Sequence, residues 1–268
     1  MTKRILAASF LSAALLSLTF WQMRKQMIHD PIPASLTEGK VTPSQLSQEQ
    51  YRDGSLRFAD IRNRLTPHLK SALSQQGVTL GSPVFLRSFK DERILELWMQ
   101  KNDSKEFKHV QTWKIACMSG DIGPKLKEGD RQSPEGFYHV SLSQFLPSST
   151  NHLAFNVGFP NAYDRSHNRT GSFIMVQGHT GSIGCLAMTD PYIEEIYTIC
   201  HAALSSGKQE QFQIQMLPFR LTDKNLSEYK NHKWHAFWKM LKSGYDYFED
   251  KRVPPNIIVS NKSYKVSH

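Results

Sequence analysis

Residues 171–190 read G-S-F-I-M-V-Q-G-H-T-G-S-I-G-C-L-A-M-T-D, and this stretch decides how the rest of the chain is understood. Phe173, Ile174, Met175 and Val176 form an apolar run with the character of a buried strand. The run leads into a segment holding Gly178, Gly181 and Gly184. Glycine permits positive φ and close backbone approach, so three at this spacing predict a tight, irregular loop. Cys185 ends the loop, and His179 precedes it on the same segment. A thiol attacks as the thiolate, and imidazole is its usual base. A cysteine at a turn that runs on into a helix also leaves backbone N–H groups free to hold an oxyanion. The residues alone leave open a structural cysteine in a glycine-rich turn, because free cysteine often serves as a small buried apolar group.

Working outward, residues 161–170 form a second polar loop with Tyr163, Asp164, Arg165, His167 and Arg169. Loops carry function, so Tyr163, Arg165 and Arg169, with Gln177, are candidates for binding substrate. The competing reading is an internal network in which Asp164 pairs with Arg165 or Arg169. Residues 120–137 are rich in Gly, Pro, Lys and Asp but lack the order of a phosphate-binding loop.

Strand signals cluster at residues 83–89, 94–100, 110–117, 136–140 and 152–157. In the second, Leu95, Leu97 and Met99 alternate with Glu96, Trp98 and Gln100, as in a half-buried antiparallel strand. Phe212, Ile214 and Met216 alternate likewise. Phe58, Ile61, Leu65, Leu69 and Leu73 recur at helical spacing over 55–76, with a break expected at Thr66-Pro67. Asp190-Pro191 opens a helix capped by Asp190 or Thr189, with Ile193, Ile196, Tyr197 and Cys200 as its apolar stripe. Residues 232–248 carry an aromatic stripe that reads as core, and the tail after Pro254-Pro255 reads as loose. The order of elements predicts an α+β fold, mainly β with appended helices.

The 268 residues carry a formal net charge of +9, of which Lys3, Arg4, Arg24 and Lys25 supply four units. The remaining excess suits an anionic surface or polymer. No zinc-finger spacing or aromatic–basic platform points to nucleic acid. The absence of CxxC and HExxH argues against a metal, and no cofactor is expected. The odd number of cysteines, Cys117, Cys185 and Cys200, leaves at least one thiol unpaired. Residues 5–23 are apolar or small and follow two basic residues, the pattern of an export signal. As a helix they would reach about 28 Å, near the bilayer's apolar thickness. The poor small-x-small pattern before Trp21 favours an uncleaved inner-membrane anchor over a cleaved signal. The expected organisation is signal or anchor over 1–27, linker over 28–54, a helical segment over 55–82, a catalytic domain over 83–220, and a helical extension and tail over 221–268.

Ser182-Ile183-Gly184-Cys185 resembles the S/T-x-G-C nucleophile motif of the L,D-transpeptidase (YkuD) catalytic domain. Gly123 to Asp130 followed by Ser133-Pro134-Glu135-Gly136-Phe137-Tyr138 resembles another segment of that family. Asn161 to Arg165 and Arg169-Thr170-Gly171 are similar to its YafK-like branch. The resemblance spans residues 84–255. It implies a partly barrel-like β-sandwich and thioester acyl transfer on peptidoglycan stem peptides in the periplasm, as transpeptidase, carboxypeptidase or amidase. Wall-linked lipoprotein is a further implied partner. Cys185 is then the nucleophile, Gly184 an oxyanion donor and Ser182 an orienting residue. The family's usual His-Gly pair is Gln177-Gly178 here, and Gln cannot accept a proton at neutral pH. His179 is therefore expected as the base; the alternatives are His152, His167 or a catalytically weak, binding-only relative.

Overall fold

The computed structural model describes residues 54–267. The expected signal or anchor, and the linker as far as residue 53, lie outside them. Among the described residues no helix is long and apolar enough to cross a membrane.

Among the described residues, three sheets, one of them a two-stranded hairpin, and five α-helices follow in chain order. Helix α1 (Gly54–Gln75) precedes β1 (Val84–Phe89), β2 (Ile94–Gln100) and β3 (Phe107–Lys114). Then come β4 (Gly136–Ser141), β5 (Phe145–Leu146), β6 (Ala154–Asn156) and the short α2 (Ala162–Ser166). Strands β7 (Met175–Gln177) and β8 (Leu186–Ala187) flank the glycine loop, and α3 (Asp190–Ser205) follows. The chain ends with β9 (Gln211–Leu217), α4 (Asp223–Glu228), α5 (His235–Lys251), β10 (Asn256–Ser260) and β11 (Ser263–Ser267). The larger sheet has the order β3-β2-β1-β9-β4, and the smaller β5-β6-β7-β8. Neither closes into a barrel. An isolated bridge between Cys117 and Ala187 ties the chain beyond β3 to the smaller sheet.

The larger sheet is covered on both faces, which is why β1 is buried along its whole length. Val84 and Leu86 join a core with Val176 and Leu186 of the smaller sheet, Ile193 and Ile196 of α3, and Phe58 and Ile61 of α1. Phe89 on the opposite face packs with Phe237, Trp238 and Leu241 of α5. The expected half-solvated β2 is corrected for the same reason. Glu96 is buried, and its carboxylate accepts from Arg220 at 2.6 Å and from Trp98 Nε1 at 2.9 Å.

Three further expectations change. Helix α1 runs unbroken through Pro67. A proline inside a helix forfeits a backbone hydrogen bond and crowds the preceding turn, at a combined cost of about 3 kcal/mol, and burial of Phe58 and Ile61 before it and Leu69 and Leu73 after it offsets that loss. Phe173 stands outside the strand at φ 52 and is 71% exposed, so the buried run begins at Ile174. The tail is ordered: β10 and β11 form a hairpin whose turn residues, Asn261 and Lys262, both take positive φ. Its Tyr264 is buried, stacks on Tyr163 at 4.3 Å and accepts from Asn161 Nδ2 at 2.7 Å.

Lys90 and Glu135 form a fully buried ion pair at 3.2 Å. The Lys90 ammonium also donates to the Gly123 and Ser133 carbonyls. Glu135 accepts from the Gly123 N–H at 2.6 Å and from Trp238 Nε1 at 2.8 Å. Removing one partner leaves a buried uncompensated charge, at a cost of about 3–5 kcal/mol. Lys90→Met and Glu135→Leu are each expected to lose that much stability in urea unfolding, with a loss below 1 kcal/mol contradicting the pair's role.

Candidate active site

Strands β7 and β8 are parallel neighbours joined by residues 178–185 alone. Parallel pairs ordinarily need a crossover of a dozen or more residues. So short a link forces unusual backbone, and His179 (φ 58) and Gly184 (φ 141) supply it. At Gly184 a side chain would also collide: a Cβ would stand 3.1 Å from Ile174 Cδ1 and 3.3 Å from the Gln132 carbonyl oxygen. Ser182 locks the end of the turn, its Oγ donating to the Cys185 carbonyl at 2.7 Å and accepting from the Gly184 N–H at 3.1 Å. The Gly184 N–H is thus engaged within the turn.

All three cysteines are free thiols. Cys200 is fully buried, and burial pushes its thiol far above the ordinary range. Cys185 is half-buried and faces a cavity of about 600 Å³. Its Sγ accepts from the Met175 N–H at 3.4 Å and lies 3.6 Å from the Phe173 carbonyl oxygen, to which the thiol donates. Burial raises the Cys185 pKa, while the Met175 N–H and the charge of Lys125 oppose it without overcoming it. Phe173 and Ile183, 71% and 76% exposed, stand at the cavity mouth. Leu146, Ser149, Thr150 and Asn151 also line it. Gln177 completes the lining, buried, with Nε2 donating to the Gly181 carbonyl at 3.2 Å.

No residue lining the cavity carries a basic side chain. His179 lies on the loop with its side chain 51% exposed, outside that lining. Its N–H donates to Asp190 Oδ1 at 2.8 Å, and its Nε2 stands 3.8 Å from Asp190 Oδ2. Asp190 therefore binds this loop, and Thr189, at φ 72, makes no side-chain cap on α3. His152 Nε2 is 2.8 Å from Glu194 Oε1, and His167 Nδ1 donates to the Tyr163 carbonyl at 3.0 Å.

Tyr163, Arg165 and Arg169, read from sequence as substrate-binding candidates, do not line this cavity. Tyr163 and Arg169 are buried. Arg169 donates to Asp164 Oδ1 at 2.9 Å, and Tyr138 donates to Asp164 Oδ2 at 3.0 Å, so Arg169 belongs to an internal network, and its guanidinium lies 5.0 Å from the Tyr163 ring centre. Arg165 is exposed on α2 and donates to the Pro160 carbonyl.

Lys125 was not a sequence candidate for the site, although its loop was noted. It is buried and pairs with Asp130 at 2.6 Å. Burial alone would raise the Asp130 carboxyl; Lys125 and the N–H groups of Lys127, Leu126 and Gln132 outweigh it and hold the pKa low. A buried lysine in a G-P-K-L-K-E-G-D loop was the available signal, but only the fold sets its charge near the thiol. Among the described residues no group of three or more His, Cys, Asp or Glu could hold a metal.

A thiol with a raised pKa is less ionised at any given pH, tenfold for each unit. Alkylation of Cys185 by iodoacetamide, followed by intact mass, is expected to accelerate with pH past the ordinary thiol range. Lys125→Met is expected to move the inflection higher still. An inflection below pH 8 would contradict the burial argument. Gly184→Ala is expected to destabilise by about 1–3 kcal/mol in denaturant unfolding, because alanine is strained at that φ.

No protein-family model matches the chain. Over 188 residues it is 44% identical to the Escherichia coli K12 protein named "Putative L,D-transpeptidase YafK", covering 70% of this chain and 75% of that one. The E. coli O157:H7 protein of the same name gives the same figures. Among solved structures, the helical cell shape determining protein Pgp2 of Campylobacter jejuni is 19% identical, with a TM-score of 0.40 over 71% of this chain and 80% of that one. Bd1075 of Bdellovibrio bacteriovorus is 18% identical, with a TM-score of 0.36 over 70% and 77%. Neither structural likeness is close enough to carry an argument. The identity to YafK is, and the chain belongs to the YafK-like L,D-transpeptidase family.

Proposed function

We propose that the protein is a cysteine acyl-transfer enzyme acting on peptidoglycan stem peptides. The observation that carries this reading is the free, half-buried thiol of Cys185, set by a locked turn at an open cavity. The Cys185 thiolate attacks a stem-peptide carbonyl, and the tetrahedral oxyanion collapses to a thioester as the C–N bond breaks. The departing amine takes the proton that the base removed from the thiol. An amine or water then attacks the thioester, giving transpeptidation or hydrolysis, and the sulfur leaves as thiolate. With the Gly184 N–H donating to Ser182, the oxyanion falls to the Cys185 N–H; a donor of this kind is typically worth about 3–4 kcal/mol. Gly184 serves by permitting the turn and Ser182 by fixing it.

His179 is assigned as the base. It shares the glycine-flanked loop with Cys185, and Asp190 holds its main chain and stands beside its ring. His152 and His167 have partners elsewhere. Substrate closing over the loop brings the half-exposed ring toward the thiol. The protein acts in the periplasm, held to the inner membrane by residues 5–23, and wall-linked lipoprotein belongs to its substrate class if water is the acceptor.

A second reading, a stem-peptide-binding module without turnover, is favoured by one observation: the cavity lining offers no base. Mass spectrometry of purified muropeptides separates the two. Acyl transfer predicts new cross-linked or trimmed species with wild type and none with Cys185→Ala. A binding module leaves the muropeptides unchanged in both cases. His179→Ala is expected to lower turnover by about 10²-fold, and unchanged turnover rules out this base.

A further inference from the structure

Helix α1 contributes no residue to the cavity lining, yet it holds one side of the cavity in place. Residues 147–153, between β5 and β6, form no helix or strand. They include Ser149, Thr150 and Asn151, which line the cavity with Phe173 and Ile183. Arg57, on the first turn of α1, donates from Nη2 to the Pro147 carbonyl at 2.6 Å and to the His152 carbonyl at 2.6 Å. The Ser149 carbonyl is also within reach of the same nitrogen, at 3.5 Å. One guanidinium group thus gathers both ends of the loop. A second fastening lies one side chain further on: Arg64 of α1 pairs with Glu194 of α3, and that carboxylate also holds His152, at 2.8 Å. Gly54 makes the approach possible, because a Cβ there would stand 2.3 Å from the Pro147 and Ser148 backbone.

The loop in turn touches the nucleophile segment. The Asn151 and Leu153 carbonyls both lie 3.1 Å from the Gly178 N–H, between Gln177 and His179. The His152 backbone sits at φ 68. A chain in that region holds its shape only when its surroundings over-determine it, and Arg57 is the group whose bonds span it.

We infer that Arg57 is a positioning residue: it fixes the 147–153 side of the substrate cavity from outside, making α1 part of the acyl-transfer site. The inference rests on the proposed function only in taking this cavity as the substrate's. Two carbonyls that lose a charged donor relax toward water, so the loop should loosen while Cys185, held by the Ser182 turn and β7, stays put.

Arg57→Ala, Arg57→Lys and Gly54→Ala would be compared with wild type by hydrogen–deuterium exchange and by muropeptide kinetics. Arg57→Ala is expected to speed exchange across residues 147–153 at least tenfold, with the β1, β2 and β9 amides unchanged. KM is expected to rise roughly tenfold, with kcat and the iodoacetamide rate at Cys185 within twofold. Arg57→Lys should recover part of both effects, and Gly54→Ala should reproduce them without removing a charge. Unchanged exchange in 147–153 overturns the proposal, as does loss confined to kcat. Exchange that rises equally in β1 and β9 overturns it too, since Arg57 would then be a general stabiliser. Should no muropeptide be turned over by wild type, the exchange comparison still decides the positioning role.

Discussion

The buried Lys90–Glu135 pair is the point on which both the fold and the site depend. Taking two charges out of water costs several kcal/mol for each ion. That cost is bearable here only because every partner is present: Gly123 and Ser133 carbonyls on the ammonium, the Gly123 N–H and Trp238 indole on the carboxylate. Those partners come from the end of β1, the 121–135 loop, the start of β4 and α5. The pair therefore fixes the loop against the sheet from within. The same loop supplies the Gln132 carbonyl that backs Gly184 and the Lys125 charge felt by Cys185. The buried pair thus holds the loop on which the Cys185 turn rests.

From that surface the site follows by geometry. A link of residues 178–185 between parallel neighbours leaves the backbone few choices, and positive φ at His179 and Gly184 is the outcome. Ser182 closes the turn on Cys185, and the loop that brings Ser149, Thr150 and Asn151 to the same cavity is bonded by Arg57 of α1. The cost appears in the chemistry. Burial raises the thiol pKa, and the position expected to carry an imidazole carries Gln177, whose amide braces Gly181 instead. The proposed base, His179, stands outside the cavity lining.

Much of this was legible in the sequence because it is local. The glycine spacing, the terminal Cys185 and the alternation in β2 and β9 express backbone periodicity and turn chemistry, which act over a few residues. What escaped depends on tertiary partners. Pro67 looked like a break because propensity cannot register a stripe buried on both sides of it. The hairpin after Pro255 looked loose because its turn, Asn261-Lys262, lacks glycine and its hold is Tyr264 against Tyr163 and Asn161. Polarity marks Tyr163 and Arg169 as binding candidates but does not reveal that Arg169 pairs with Asp164 inside and lies over the Tyr163 ring. Arg57 lies in no motif; only the fold brings the Pro147 and His152 carbonyls to it.

The central claim is that the sulfur of Cys185 accepts an acyl group. Intact-mass spectrometry of the purified protein after incubation with a carbapenem tests it most directly. The account predicts a single covalent adduct, mapped to Cys185 by peptide sequencing and absent from Cys185→Ala. An unmodified wild-type mass under conditions where the protein remains folded, or an adduct mapped to Cys117, would contradict it.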